Sequence, residues 1–303
     1  MRDITAKPPT LRESTAEARV VMPPSGIARI REGLVDKGDP LEASRLTALM
    51  GVKRTWDLLP YCHPIAVTGI DVTIDVNDDA VVIRVTARGI EPTGMELEAM
   101  TGASLAALNL YDMMKPHEKD VHLEHVRLVE KSGGKSDWRT TLDPPVKAAV
   151  VVVSDAVHGG HKEDRAGRLL RERLQAEPSV ELTTSEVLPD DPDALRSLVT
   201  GLVEGGVELV ITAGGTGLTS TDRTIEALEP LLEREIPGLM ETARAYGQSR
   251  TRHAMLSRGI AGVFQGALIL AFPGSTGGAA ETYDALFPPV LHVFRSLRWT
   301  PPA

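Results

Sequence analysis

The sequence predicts two domains of different class, an α+β domain followed by an α/β domain with a mainly parallel sheet. The chain has 303 residues, which at about 150 residues per domain favours two globular domains. The first half combines a hairpin signal with one long helix, whereas the second half alternates strands with helices. A polar stretch carrying Pro144-Pro145 separates them. We therefore expect domains over 1–143 and 148–303, joined by a linker at 144–147.

The first half contains one hairpin and one long helix among its predicted elements. In order these are strand 16–22, helix 41–50, strands 65–76 and 80–90, helix 96–115 and strand 121–130. The hairpin is predicted because two apolar runs flank the turn-like Asn77-Asp78-Asp79. The long helix has apolar residues at helical spacing, and Pro116 stops it.

The second half repeats a strand and helix pattern. The predicted order is strand 148–153, helix 163–175, strand 180–187, helix 192–204, strand 207–213, helices within 223–248, strand 262–272 and helix 276–296. Regular alternation of this kind implies a parallel sheet that helices cover on both faces.

Composition excludes several classes of protein. Lys and Arg number 33 against 42 Asp and Glu, so the net charge of -9 offers no basic surplus for non-specific nucleic-acid binding. The apolar runs are far shorter than the roughly 20 residues of a membrane-spanning helix, and no signal sequence is evident. Cys62 is the one cysteine, which excludes an intrachain disulfide or a multi-cysteine metal site. We expect a soluble cytoplasmic protein that binds neither nucleic acid nor membrane.

Near the end of the long helix, Asp112 and Lys115 lie three residues apart and therefore share a face. The negative end of the helix dipole favours a lysine there. The pair is either a coupled acid/base pair or a solvated surface ion pair, which is common and weak.

A glycine and lysine segment follows the last strand of the first half. The run Lys131-Ser132-Gly133-Gly134-Lys135-Ser136 could bring backbone and lysines close to phosphate oxygens. It is not a Walker A loop, because Val129 stands where that pattern needs glycine. The alternative is a polar loop with incidental lysines.

Histidines give a weaker signal. His63 precedes Pro64 and is therefore held extended, with its ring projecting from a loop, although a structural histidine is the default alternative. A metal site at His117, His122 and His125 is disfavoured, because His122 and His125 point to opposite faces of the predicted strand.

Taken together, these segments resemble the cyclic pyranopterin monophosphate synthase family of molybdenum cofactor biosynthesis, the MoaC type. The matching blocks are Lys37-Gly38-Asp39, Lys53-Arg54-Thr55-Trp56-Asp57-Leu58, Cys62-His63-Pro64, Gly94-Met95-Glu96-Leu97-Glu98-Ala99, Tyr111-Asp112-Met113 with Lys115, and Lys131 to Ser136. The resemblance implies a ferredoxin-like fold that assembles as a hexamer. It also implies conversion of 3',8-cyclo-7,8-dihydro-GTP to cyclic pyranopterin monophosphate with release of pyrophosphate.

The resemblance also implies roles for individual residues. Ring opening and pterin closure need proton transfers, and the triphosphate needs neutralising charge. Asp112 is the expected general acid/base, with Lys115 and Lys131 as the other catalytic residues. The expected substrate-binding residues are Lys37, Lys53, Tyr61, Cys62, His63, Glu96, Leu97, Glu98 and Lys135.

In the second half, a glycine-rich turn follows the predicted strand 207–213. Such a turn at the carboxyl end of a parallel strand is where open α/β sheets bind ligands. A Rossmann fingerprint would need glycine where Ser220 stands. Asp222 either caps the next helix or binds Mg²⁺ or substrate, and Asp190 and Asp191 could likewise be helix caps.

This half resembles the molybdopterin adenylyltransferase family, the MogA/MoaB type. The matching pieces are Ser154-Asp155, Asp164 with Gly167, Pro189-Asp190-Asp191, Thr212 to Gly217, Asp222 with Thr224, Ile236-Pro237-Gly238, Leu256-Ser257-Arg258 and Pro273-Gly274-Ser275. The resemblance implies a trimeric domain that transfers AMP from Mg-ATP to molybdopterin. The implied ligand-binding residues are Ser154, Asp155, Asp190, Gly214, Gly215, Thr216, Gly217, Asp222, Pro273, Gly274 and Ser275, with Asp190 and Asp222 as Mg²⁺ ligands.

Two positions depart from the second pattern, which usually has proline where Ile225 and Thr276 stand. These departures leave open an alternative in which the second half is a non-catalytic pterin-binding or assembly module. A nucleotide-binding regulatory protein is a rival for the whole chain. We expect a bifunctional enzyme with no tightly bound cofactor, forming a homo-oligomer in which hexamer and trimer share a threefold axis.

Overall fold

The structure, a computed structural model, describes residues 1–134 and 137–299. The chain divides into a first unit, Met1–Asp137, and a second unit, Trp138–Ala303. The residues just after this division pack on the second unit: the Ser179 hydroxyl donates to the Thr140 carbonyl at 2.9 Å and accepts from the Leu142 amide at 3.2 Å. Among the described residues, no helix is long and apolar enough to cross a membrane.

The first unit is a four-stranded antiparallel sheet with helices packed against it. Its elements are β1 (Thr10–Val21), α1 (Pro24–Arg31), α2 (Pro40–Lys53), α3 (Thr55–Leu58), β2 (Gly69–Val76), β3 (Ala80–Glu91), α4 (Glu96–Met114) and β4 (His122–Ser132). The strand order is β2-β3-β1-β4. Helices α1 and α3 are absent from the sequence prediction, because each is short and carries little periodic signal. Strand β1 begins at Thr10, six residues before the predicted start.

Helix α4 is the element that positions the site residues of the first unit. Its alanines are buried against the inner residues of β1, such as Ala16 and Ala18. Gly51 of α2 meets Gly102 of α4 so closely that an added Cβ on Gly51 would lie 3.2 Å from the Gly102 Cα. Asn109 of α4 donates to the Ser44 hydroxyl near the start of α2 at 3.2 Å. The two helices are therefore antiparallel, and the end of α2 lies beside the start of α4.

The second unit has a six-stranded sheet between two layers of helices. Its elements are β5 (Val146–Val153), α5 (Asp155–His158), α6 (Arg165–Gln175), β6 (Val180–Leu188), α7 (Pro192–Glu204), β7 (Leu209–Ala213), α8 (Thr224–Leu228), β8 (Arg234–Glu235), α9 (Pro237–Gln248), β9 (Ala261–Phe264), β10 (Ala267–Phe272), α10 (Thr276–Leu286) and α11 (Val293–Leu297). The strand order is β6-β5-β7-β10-β9-β8.

Four strands of this sheet, β6, β5, β7 and β10, are parallel. Strand β9 pairs antiparallel with β10, and β8 pairs antiparallel with β9. Alternate residues of β5 enter separate cores: Val150 and Val152 pack with α6 and α10, whereas Val151 and Val153 pack with α7 and α8. Burial on both faces explains the continuous apolar run. The mainly parallel sheet is confirmed.

Three predicted elements of the second half are wrong in their bounds. The single strand 262–272 is the antiparallel pair β9 and β10, joined by Gln265 and Gly266 with φ of 47° and 83°. Two positive φ values suit a two-residue hairpin turn. The helix 276–296 ends at Leu286, because the prolines that follow have no N–H to donate. Strand β5 starts at Val146, inside the predicted linker.

Candidate active sites

Two lysines converge on one carboxylate at the C-terminal end of α4. Lys115 Nζ lies 2.7 Å from Asp112 Oδ1, and Lys37 Nζ lies 2.6 Å from Asp112 Oδ2. Lys37 also donates to the Asp112 carbonyl at 3.2 Å. Its loop leads into α2, whose first turn is capped by the Asp39 carboxylate. We call Lys37, Asp112 and Lys115 the Asp112 cluster.

The two lysines determine the protonation of the Asp112 cluster. Hydrogen bonds from Lys115 and then Lys37 lower the pKa of Asp112 to about 2. The same bond to Asp112 raises the pKa of Lys115. At neutral pH the cluster therefore holds an ionised carboxylate that is hydrogen-bonded to the Lys115 ammonium group.

A second group of predicted site residues lies at the other end of α4. Cys62 Sγ donates to Glu98 Oε1 at 3.5 Å, and Lys131 Nζ donates to Glu96 Oε1 at 3.3 Å. His63 follows Cys62, and its Nε2 lies 2.8 Å from the Arg2 carbonyl. We call Cys62, His63, Glu96, Glu98 and Lys131 the Glu98 cluster.

Burial controls protonation in the Glu98 cluster. Glu98 is 3% exposed, and its burial raises the pKa of the carboxyl. Burial and the neighbouring Glu98 raise the pKa of the Cys62 thiol to about 11. The thiol is therefore protonated at neutral pH and donates to Glu98.

Within one chain, Lys131 lies far from Asp112 and Lys115, the other two predicted catalytic residues. Glu98 and Asp112 are fourteen residues apart on the same helix, which at 1.5 Å per residue is about 21 Å. Lys131 contacts the helix start, because β4 runs back along the unit after α4 ends. Within one chain the predicted residues therefore form two separate clusters.

The remaining predicted residues of the first unit make fewer contacts. Lys53 is the last residue of α2 and Leu97 is the second residue of α4, so both lie near the Glu98 cluster. Tyr61 is 77% exposed and precedes Cys62. Lys135 lies outside the described residues.

Close packing against β1 explains why glycine occupies position 133, before Lys135. Gly133 has a φ of 86°, and an added Cβ would lie 1.9 Å from the Leu11 carbonyl oxygen. The Arg12 guanidinium also donates to the Gly133 carbonyl at 3.1 Å. Glycine is therefore needed here for close approach to β1, whatever the segment binds.

In the second unit, the predicted residues gather around a cavity at the carboxyl ends of β5, β7 and β10. This strand-end cavity has a volume of about 450 Å³. Of the predicted residues, Ser154, Asp190, Gly214, Gly215, Asp222, Gly274 and Ser275 line it. Their grouping follows from the parallel sheet, because the loops after parallel strands meet at one edge.

The other predicted residues of the second unit lie behind this lining. Asp155 and Asp190 each accept a hydrogen bond from the backbone amide of the other, at 3.0 and 3.1 Å. Thr216 and Gly217 accept from Arg258 through their carbonyl oxygens. Pro273 lines a neighbouring cavity. These residues therefore hold the lining in place.

Two glycines of the strand-end cavity are required by close contact between loops. Gly214 has a φ of 120°, and an added Cβ would lie 2.1 Å from the Val153 carbonyl oxygen. An added Cβ on Gly274 would lie 2.9 Å from the Gly214 Cα. Three strand ends can therefore converge only because these positions lack side chains.

The structure resolves which aspartates are helix caps. Asp191 caps α7, accepting from the Asp193 and Ala194 amides. Asp222 does not cap α8; its carboxylate accepts from the amide and hydroxyl of Thr219, and these bonds lower its pKa. Asp190 and Asp222 thus both border the cavity. Carboxylates are the kind of donor that Mg²⁺ takes, one or two at a time, with substrate phosphates and waters completing its shell.

Arg258 holds the loop between Gly217 and Asp222. Its guanidinium donates to the Gly217 carbonyl at 2.7 Å, the Asp222 carbonyl at 2.6 Å and Glu226 Oε1 at 2.6 Å. In the sequence, Arg258 belongs to a block that matches the molybdopterin adenylyltransferase family, but no role is predicted for it. Because its partners are 32 to 41 residues away in the sequence, local sequence carries no signal for this role.

A second cavity was not predicted. It has a volume of about 480 Å³ and lies between α9, α10 and residues 251–257. Met240, Arg244, His253 and Glu281 are among its lining residues, and Ser275 lines both cavities. We call it the α9–α10 cavity.

Both positions at which the family pattern usually has proline, Ile225 and Thr276, lie in the first turn of a helix. Ile225 is the second residue of α8 and is buried, and Thr276 is the first residue of α10, where Ser275 provides the cap. First-turn N–H groups have no partner within the helix, so proline is favoured there but not required. Both helices form without it.

Replacing Glu98 by glutamine tests the buried carboxyl. Because its pKa is raised in the folded protein, stability falls as pH rises from the ordinary glutamate pKa through the raised value. We expect this decrease to be absent from Glu98→Gln. The free energy of unfolding of the variant, measured relative to that of wild type, should therefore be higher at pH 8 than at pH 4. Urea unfolding across this range measures it; identical pH dependence in both proteins would contradict the burial of an ionisable Glu98.

Known families match both units of the chain. The MoaC family model matches residues 1–134, and a family described as "probable molybdopterin binding domain" matches residues 149–293. The Molybdenum cofactor biosynthesis bifunctional protein of Chlorobaculum tepidum is 37% identical over 299 residues, covering 98% of this chain and 94% of that protein. The protein with the same name from Synechococcus elongatus is 32% identical, covering 98% and 97%.

Other known proteins are similar to only one of the two units. The cyclic pyranopterin monophosphate synthase of Aquifex aeolicus is 45% identical over 141 residues, covering 46% of this chain and 56% of that protein. The crystal structure of MoaB from Thermus thermophilus is 36% identical, covering 52% of this chain and 98% of that one, with a TM-score of 0.48. With relatives matched along nearly its whole length, the chain belongs to the family of bifunctional molybdenum cofactor biosynthesis proteins.

Proposed function

We propose that the first unit converts 3',8-cyclo-7,8-dihydro-GTP to cyclic pyranopterin monophosphate and that the second transfers AMP from Mg-ATP to molybdopterin. The Asp112 cluster is the observation that carries the first assignment. It places a carboxylate that can act on ring protons between two lysines whose positive charge can neutralise a leaving pyrophosphate. The β–α–β–β–α–β order and strand order of this unit support a ferredoxin-like fold.

We further propose that two copies of the chain complete the first site. The Asp112 and Glu98 clusters are too far apart for one substrate to contact both within a chain, whereas a neighbouring copy can bring its Glu98 cluster to the Asp112 cluster. Large apolar side chains exposed on the helices support an interface there: Leu46, Met50, Trp56, Leu97 and Leu108.

Mixing two inactive variants tests the shared site. Chains with Asp112→Asn and chains with Lys131→Ala are each expected to be inactive, but after co-refolding one site in four would combine an intact Asp112 with an intact Lys131. We expect recovery of about a quarter of wild-type turnover. Mixing Asp112→Asn with Lys115→Ala, which alter the same cluster, should recover nothing. Equal failure of both mixtures would contradict a site shared between chains.

The second assignment is supported by two cavities that meet at Ser275. A phosphate oxygen of molybdopterin would attack the α-phosphorus of ATP, and the bond to the β-phosphate oxygen would break, so that pyrophosphate leaves with the bonding electrons. Asp190 and Asp222 would hold the Mg²⁺ of Mg-ATP in the strand-end cavity. The α9–α10 cavity would take the pterin, whose amino edge suits the Glu281 carboxylate.

Incubation of the whole protein with molybdopterin and Mg-ATP tests this assignment. Mass spectrometry should show adenylylated molybdopterin and an equal amount of pyrophosphate. Tight molybdopterin binding without this product would instead identify the second unit as a binding module.

A further inference from the structure

We propose that Lys162 and Arg165 bind the β- and γ-phosphates of ATP in the strand-end cavity and stabilise the departing pyrophosphate. Neither residue was singled out by its sequence pattern. The inference rests on the adenylyl transfer proposed above, and it names the residues of that site that bind the phosphates. Among the described residues that line the cavity, these are the two basic side chains.

The backbone that carries both residues is held in place. The Lys162 amide donates to the Ala156 carbonyl at 2.9 Å, which closes the turn after α5. Arg165 is the first residue of α6, and the Asp164 carboxylate caps that helix through the Gly167 amide at 2.7 Å. Both side chains therefore start from fixed positions at the cavity.

Carboxylates near these two cations are engaged elsewhere. Asp164 pairs with Arg171 at 2.8 Å, and Glu163 pairs with Arg168 at 2.8 Å. Within residues 1–134 and 137–299, neither Lys162 nor Arg165 forms an ion pair. Their charges remain available to an anion in the cavity.

The charge of the cavity matches a triphosphate with its metal ion. Asp190 and Asp222 attract Mg²⁺ but repel phosphate, so the carboxylates alone would disfavour the phosphate tail. Two cations on the same lining offset that repulsion. Negative charge on the β-phosphate grows as its bond to the α-phosphorus breaks, and positioned cations stabilise that charge.

Calorimetric titration with Mg-ATP and with AMP tests the inference. The first unit is silenced by Lys37→Ala and Lys131→Ala, so that triphosphate binding there does not contribute. Adding Lys162→Met and Arg165→Gln should weaken Mg-ATP binding about tenfold or more and leave AMP binding unchanged, because AMP lacks the β- and γ-phosphates. Arg196→Gln, which removes a basic residue of α7 that pairs with Asp193 at 2.8 Å outside the cavity lining, should bind both ligands as the parent does.

Each outcome decides the question. Unchanged Mg-ATP binding in the double variant, equal loss of AMP binding, or no Mg-ATP binding by the parent would overturn the inference. Selective loss of Mg-ATP binding supports it even if adenylylated molybdopterin never forms, in which case the proposed transfer fails and the phosphate site stands.

Discussion

Replacing Asp112 by asparagine should lower the formation of cyclic pyranopterin monophosphate by at least about a hundredfold. Asparagine keeps the shape of the side chain but cannot accept a proton or balance the charges of Lys37 and Lys115. Because the Asp112 side chain is half exposed, the fold should be unaffected. The measurement is the rate of product formation from 3',8-cyclo-7,8-dihydro-GTP.

Asp79→Asn is the control for Asp112→Asn. Asp79 also forms an ion pair, with Arg19 at 3.1 Å, and lies in the turn between β2 and β3. This variant should turn over like wild type. A folded Asp112→Asn protein that did the same would exclude Asp112 as the proton-transfer group.

In the second unit, Asp222→Asn should lower adenylyl transfer by about a hundredfold or more. The amide oxygen can still accept from the Thr219 amide, so the loop should keep its conformation while the cavity loses a negative charge that holds Mg²⁺. Production of adenylylated molybdopterin at saturating Mg-ATP measures the effect.

Asp191→Asn is a matched control for this charge removal. Asparagine is as good a helix cap as aspartate, and Asp191 caps α7 without lining the strand-end cavity. Adenylyl transfer should be unchanged in this variant. Equal activity of the two variants, with both folded, would show that the charge of Asp222 has no special role.

Local patterns predict the parts of this protein that depend on neighbours in sequence. The Asp112–Lys115 pair follows from helical spacing, and α4 is bounded by Pro116 and its apolar stripe. Lys37 is seventy-five residues from Asp112, so no local pattern indicates that contact. The sequence predicts one strand where β9 and β10 lie, because both strands are fully buried and Gln265-Gly266 is a weak turn signal.

The separation of the two clusters in the first unit follows from the lengths of α4 and β4. A helix of about twenty residues spans about 30 Å, and a following strand of about ten residues returns nearly that distance. Lys131 had therefore to lie near the start of α4, away from Asp112. The roles of Asp190 and Asp191 could not be separated from sequence, because adjacent aspartates before a helix carry the same capping signal.

The central claim is that one chain carries two independent chemical sites. Assaying both reactions on wild type, Asp112→Asn and Asp222→Asn tests this most directly. We predict that Asp112→Asn loses only cyclic pyranopterin monophosphate formation and that Asp222→Asn loses only adenylyl transfer. A single substitution that abolished both activities in a folded protein, or a wild-type protein with only one activity, would contradict the claim.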